Sequence, residues 1–225
     1  MASIYEQALG DDFNKLHPRI RQRFGFNSEA GIASIGYGVM DFISFSKWAA
    51  LPLQLGTLRH IMFPQGGKRV PFRIENYAYR DSFGRETVTW NRQFKFQNKL
   101  RKFDATMIYS QQRNRIVDYL GNKQHLAVDL DVSVASSGGI QIRSGDQRFY
   151  EGWLQFRIPR SFTGAASVCE WYDDEQEQYK INVAVHNPLI GCVFQYQGSF
   201  QASFIAMPQS ALPFDAKPLR QEDRE

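Results

Sequence analysis

From Lys68 onward, the apolar residues of this 225-residue chain recur at every second position in unusually long runs. Val88, Trp90, Phe94 and Phe96 share one parity, while Thr87, Thr89, Asn91, Gln93 and Lys95 take the other. Side chains of an extended chain alternate between faces, so this run predicts a strand with one greasy and one polar side. Further runs follow at residues 103–109, 116–120, 126–134, 140–142, 149–158, 166–172, 179–185 and 194–204. A strand of about twelve residues spans about 40 Å, twice the usual length. Consecutive strands of that length must twist and coil, and closing the meander removes its reactive edges. We therefore read a mainly β chain, a long antiparallel meander closing into a barrel or half-barrel. A two-layer sandwich ranks second, because its strands are usually shorter and its connections more varied. An aromatic content of 14% suits such an interior, since rings pack well on pleated faces.

Three segments depart from this pattern. Phe13, Leu16, Ile20 and Phe24 recur at helical spacing and predict an N-terminal helix over about 11–25, capped by Asp11 or Asp12 and interrupted at Pro18. Residues 31–45 predict a strand bent by Gly36 and Gly38. The apolar stretch at about 47–63, broken by Pro52 and Gly56, predicts a short helical lid. Between Ile74 and Tyr77 the apolar parity switches, which predicts a β-bulge near Glu75-Asn76. Residues 1–207 read as a single domain, and 208–225, rich in proline and charge, as a disordered tail.

The first residues lack the basic-then-apolar pattern of a signal peptide, and no run of about 18 apolar residues exists to span a membrane, so we expect a cytoplasmic protein. The net charge of +4 is spread along the chain and favours solubility without naming a partner. Cys169 and Cys192 read as reduced thiols, with a disulfide open only if their strands are neighbours. Phosphate-loop, nucleophile-elbow and His-Glu-x-x-His patterns are absent, and we expect no cofactor. His125, Asp129 and Asp131 share a strand face, and 173–177 is acidic. Both read as solvated surface rather than metal sites. The rings and charges of 94–103 fit a hairpin with a buried face better than a nucleic-acid platform.

One residue is out of place. Arg92 shares the parity of Val88, Trp90, Phe94 and Phe96, so its guanidinium is aimed at the interior. It is either one half of a structural ion pair or a cationic anchor in a cavity. Glu86 shares its parity, and Glu151 and Glu170 interrupt later aromatic strands; Trp90, Phe94, Met107 and Tyr109 would wall the cavity.

The segments Phe63-Pro64-Gln65-Gly66-Gly67, Trp90-Asn91-Arg92-Gln93-Phe94 and Asn187-Pro188-Leu189-Ile190-Gly191 resemble the bacterial domain-of-unknown-function family 4166. The resemblance runs from the first helix to about Phe204 and implies that Arg92 is a family feature. It carries no assigned activity. Members of that family also occur joined to saccharopine-dehydrogenase-like domains, which implies a reductase as a partner. This chain holds no such domain. Two readings follow from the residues. The first is a non-enzymatic module binding an apolar or amphipathic, anionic-headed small molecule. The second is an enzyme acting on a small carbonyl or acid substrate through Arg92 and a buried Glu.

Overall fold

A computed structural model describes residues 1–225, the side chain of Arg160 apart. Eleven strands carry the fold: β1 Ile32–Phe45, β2 Gly67–Arg80, β3 Glu86–Phe96, β4 Lys99–Ser110, β5 Arg115–Leu120, β6 Leu126–Val134, β7 Ile140–Glu151, β8 Leu154–Arg157, β9 Ala165–Asp173, β10 Gln178–Asn187 and β11 Gly191–Ala206. They pair antiparallel in the order β6-β5-β4-β3-β2-β1-β11-β10-β9-β7, and β7 pairs back onto β6. Ten strands thus form a closed barrel, as the long alternating runs predict. On the β1–β11 pair, a Cβ added at Gly36 would sit 2.7 Å from the Phe200 ring. That glycine makes room for a core aromatic.

β7 gives the barrel a seam. Its first half pairs with β9 (Ile140↔Glu170 to Arg143↔Ser167), but its second half pairs with the short β8 instead (Arg148↔Arg157 to Glu151↔Leu154). Side chains bridge the place where β9 departs. The Ser144 hydroxyl accepts from the Ala166 amide at 2.7 Å, and the Gln147 side-chain amide donates to the Gly164 carbonyl at 2.8 Å.

The two ends are closed differently. At one end sit α1 (Ile4–Leu9), a 3₁₀ turn over Gly10–Lys15, and α2 (Pro18–Phe24). The single helix expected at 11–25 is therefore two. Pro18 occupies the first turn of α2, where a missing amide donor costs nothing, so proline starts a helix here rather than interrupting one. Ser3 and Glu6 form a capping box at the start of α1. Ile4, Tyr5, Phe13, Leu16, Ile20 and Phe24 are buried in the barrel core. Across the other end runs the segment between β1 and β2, containing α3 (Ala50–Thr57). It is tied down by the Asp104 amide donating to the His60 carbonyl and the Asn122 amide to that of Arg59. Its Phe63 ring packs 5.0 Å from Phe94 and 5.1 Å from Phe194.

Two expectations fail for one shared reason. Pairing runs without a break past Glu75 and Asn76 on both sides of β2, so there is no bulge there. Tyr77 and Tyr79 point outward, yet they are buried, in a cluster with Ala33, Ile35 and Ala216. The expected disordered tail covers them. Residues 208–225 run along the outer wall, where the Asn91 side chain donates to the Asp215 carbonyl, the Leu219 amide to Asn122, and the Tyr119 hydroxyl to the Arg224 carbonyl. A second outer cluster, with Ile108, Val117 and Tyr150, lies close by. Strands apolar on both faces lose their clean alternation, which a reading of parity mistakes for a bulge. Register shifts do occur, in β1 between Met40 and Phe42, between Val185 and His186, and between Val128 and Leu130.

Candidate ligand cavity

Inside the barrel, against the β7–β9 seam, lies a cavity of about 100 Å³. Its wall is mostly apolar, with Trp90, Met107, Leu120, Val128 and Val183 around it and Met62 of the lid segment at its edge. Four polar side chains enter: Arg92 from β3, Asp118 from β5, and Ser144 and Gln147 from β7.

Arg92 is buried as its parity requires. Its guanidinium lies over the Phe103 ring, 3.7 Å from the centroid. Nε donates to the Phe103 carbonyl at 3.1 Å, and Nη1 to the Tyr196 hydroxyl at 3.4 Å. Neutral acceptors and a ring face hold this cation in place, and its charge acts on the carboxyls of Asp118 and Glu170. Asp118 faces the same space. Burial pushes its carboxyl up to about 7, although the charge of Arg92 pulls the other way. Its Oδ1 has no hydrogen-bond partner among the described residues. A fixed cation thus shares a greasy chamber with a carboxyl poised to gain or lose a proton near neutrality.

The other residues expected at a site lie elsewhere, with two exceptions. Trp90 and Met107 do line the cavity. Phe94 packs between Phe63, Phe72 and Tyr196 in the solid core. Tyr109 stands at the helix end, donating to Asn114 Oδ1 at 2.6 Å. Glu86 accepts from the amide and hydroxyl of Ser28, each at 2.6 Å, and so fastens the helical segment to the barrel. Glu151 is exposed and paired with His125 at 2.6 Å. Glu170 is fully buried, but Arg23 of α2 meets it at 2.5 Å, and Arg23 also donates to the Ser34 hydroxyl at 2.6 Å. Burial raises the Glu170 carboxyl, opposed by Arg23.

Sequence reasoning missed Asp118 and Arg23. Asp118 carried the same signal as Arg92, for it shares parity with Ile116 and Leu120 on a short apolar strand. Arg23 sits beside Phe24 on a helix, where one charged position among several carries no comparable mark. Of the acids expected on a wet strand face, Asp129 is buried and held by Arg113 and Arg148, while Asp131 is exposed and paired with Arg115. Cys169 and Cys192 are free thiols; Cys169 is opposite Asn182 and Cys192 opposite His186, so no pairing brings them together.

Comparison with known proteins agrees with the resemblance in the sequence. The family model described as domain of unknown function (DUF4166) matches residues 16–200. The chain belongs to this family. A similar curated protein is the uncharacterized protein YndH of Bacillus subtilis (strain 168), 33% identical over 202 residues, which are 89% of this chain and 97% of that protein. Among solved structures, a trans-AT PKS dehydratase domain from Brevibacillus brevis aligns over 78% of this chain and 77% of its own, at 10% identity. Its TM-score of 0.19 is too low to establish a shared fold. The cavity pair of Arg92 and Asp118 lies within the span matched to the DUF4166 model. No helix among the described residues is long and apolar enough to cross a membrane.

Proposed function

We propose that this DUF4166 chain is a binding module that takes a small, largely apolar molecule with a carboxylate or similar oxygen-bearing head. The observation that carries this reading is Asp118 Oδ1, buried without a partner among the described residues, beside Arg92 in a mostly apolar chamber. A buried polar atom left unpaired costs about 1–3 kcal/mol, which a ligand oxygen held between the two side chains would recover. Arg92 supplies charge and donors to the head group, and Asp118, when protonated, supplies a second donor.

The volume sets the size. Pockets for drug-sized ligands measure about 300–1,000 Å³, while an apolar cavity of about 150 Å³ accepts benzene. At about 100 Å³ the chamber is smaller than that, so it suits a short aliphatic acid and excludes a whole fatty-acyl chain. Titrating isotope-labelled protein with acetate and butyrate tests this by amide and methyl shifts. Saturable shifts at Trp90, Met107 and Val128, weakened at least tenfold in Arg92→Met, are expected. Shifts that are absent at millimolar ligand, or that survive unchanged in a folded Arg92→Met protein, would overturn the reading.

A second reading is favoured by one observation. A carboxyl raised to about 7 is also suited to proton transfer, so the cavity fits an enzyme acting on a small carbonyl or acid. In that case Asp118→Asn keeps binding and loses turnover; in a pure binding module it changes only affinity.

A further inference from the structure

The barrel end crossed by the lid segment displays apolar side chains instead of burying them. Trp48 is 86% exposed, Leu51 73% and Leu58 73%, all on or beside α3. Trp153, at the tip of the β7–β8 hairpin, is 92% exposed, Phe162 80% and Leu189, in the β10–β11 turn, 74%. Antiparallel pairing places all of these at one end, because the connections 46–66, 97–98, 121–125, 152–164 and 188–190 join strands there. Backbone contacts tie several of them together: the Ser46 amide donates to the Val193 carbonyl, and the Asn187 side chain donates to the carbonyls of Ser161 and Thr163.

The charge of the same connections is one-sided. They contain Lys47, Arg59 and Lys123, with Arg157 paired to Asp146, and no Asp or Glu of their own; the exposed Glu151, paired with His125, adjoins them at the end of β7. Lys68, Arg69, Lys95 and Lys99 flank them at the strand ends, all exposed. Connections at the opposite end carry Asp81, Asp174, Glu175 and Glu177 against Arg85 and Arg113.

We propose that the lid end is a membrane-docking surface, which seats its tryptophans and leucines in the interfacial layer of an anionic bilayer while the surrounding lysines and arginines meet the head groups. A predominantly basic rim around exposed Trp and Leu complements anionic lipid. It does not resemble a protein interface, where lysine is depleted. Tryptophan is favoured where one side of a ring is greasy and the other wet. This docking stands whether or not the cavity takes a ligand.

Vesicle co-sedimentation of the full chain, with phosphatidylcholine alone and with an equal mixture of phosphatidylcholine and phosphatidylglycerol, tests it. Binding to the anionic vesicles should exceed binding to the neutral ones at least tenfold, and should fall as salt rises. Trp emission should shift to the blue on binding, and the shift should shrink in Trp48→Phe and in Trp153→Phe. Trp48→Ser with Trp153→Ser should reduce partitioning at least tenfold at an unchanged melting temperature. Lys47→Glu with Arg59→Glu, which leaves the apolar groups in place, should reduce binding to anionic vesicles alone. Equal binding to both vesicle types, no binding to either, or a concentration-dependent dimer abolished by the same tryptophan substitutions would overturn the proposal. The last outcome would assign the surface to a second copy of the chain.

Discussion

The two ends of this barrel solve the same problem in opposite ways. At the helix end, Ile4, Phe13, Ile20 and Phe24 turn inward, and Arg23 is locked to Glu170 and Ser34 deep in the wall. At the lid end, Leu53 and Phe63 go in, while Trp48, Leu51, Leu55 and Leu58 stay out. One end is a stopper whose residues answer to stability. The other is a cover whose outward side chains do nothing for the fold.

That contrast can be attacked in order of size. Arg23→Met leaves the Glu170 carboxylate buried without its cation, and should cost about 3–5 kcal/mol in chemical denaturation. A loss under about 1 kcal/mol would show that the stopper does not depend on the pair. Between the two ends, Asp118 predicts a slope with pH. Its native value of about 7 lies above the roughly 3.9 of an exposed aspartate, so the folded state holds a proton that the unfolded chain has released between these values. Stability therefore falls as pH rises from about 4 to about 7 and is flat above that. Asp118→Asn should remove about 2–4 kcal/mol of this decline, read from melts at pH 5 and pH 8. Ser3→Ala breaks the capping box of α1 and should cost about 1 kcal/mol. Leu51→Ser and Leu55→Ser, on the cover, should each stay within about 0.5 kcal/mol of the parent. Should the cover variants destabilise as much as Ser3→Ala, the division of labour fails.

Period-two runs were enough to see a closed antiparallel barrel, because a strand with one buried face repeats every two residues from Val88 to Phe96. The same periodicity exposed Arg92. It could not show Tyr77 and Tyr79 as outward residues, since alternation reports burial, not direction, and the tail at 208–225 buries the outer face as well. The polar, proline-rich tail reads as disorder because its anchors have the composition of a solvated segment and meet distant strands and turns. They are backbone carbonyls, such as those of Asp215 and Arg224, and polar side chains, such as Gln221 and Glu225. Glu86, Glu151 and Glu170 were legible as odd residues but not as partners. Which cation each meets depends on strand order and on α2, and neither is written locally. Asp118 was within reach of the rule that found Arg92.

Closure of the wall joins residues that are made far apart in time. Ile32 pairs with Ala206 and Phe45 with Phe194, so β1 waits for the last strand of the chain to be synthesised. Until then the nascent protein is an open meander with two free edges, and its first helices have no finished seat. Topologies dominated by such distant pairings fold slowly and expose sticky edges while they do so. Joining β1 and β11 is thus the event that ends the vulnerable period, and it seats the Phe200 ring over Gly36.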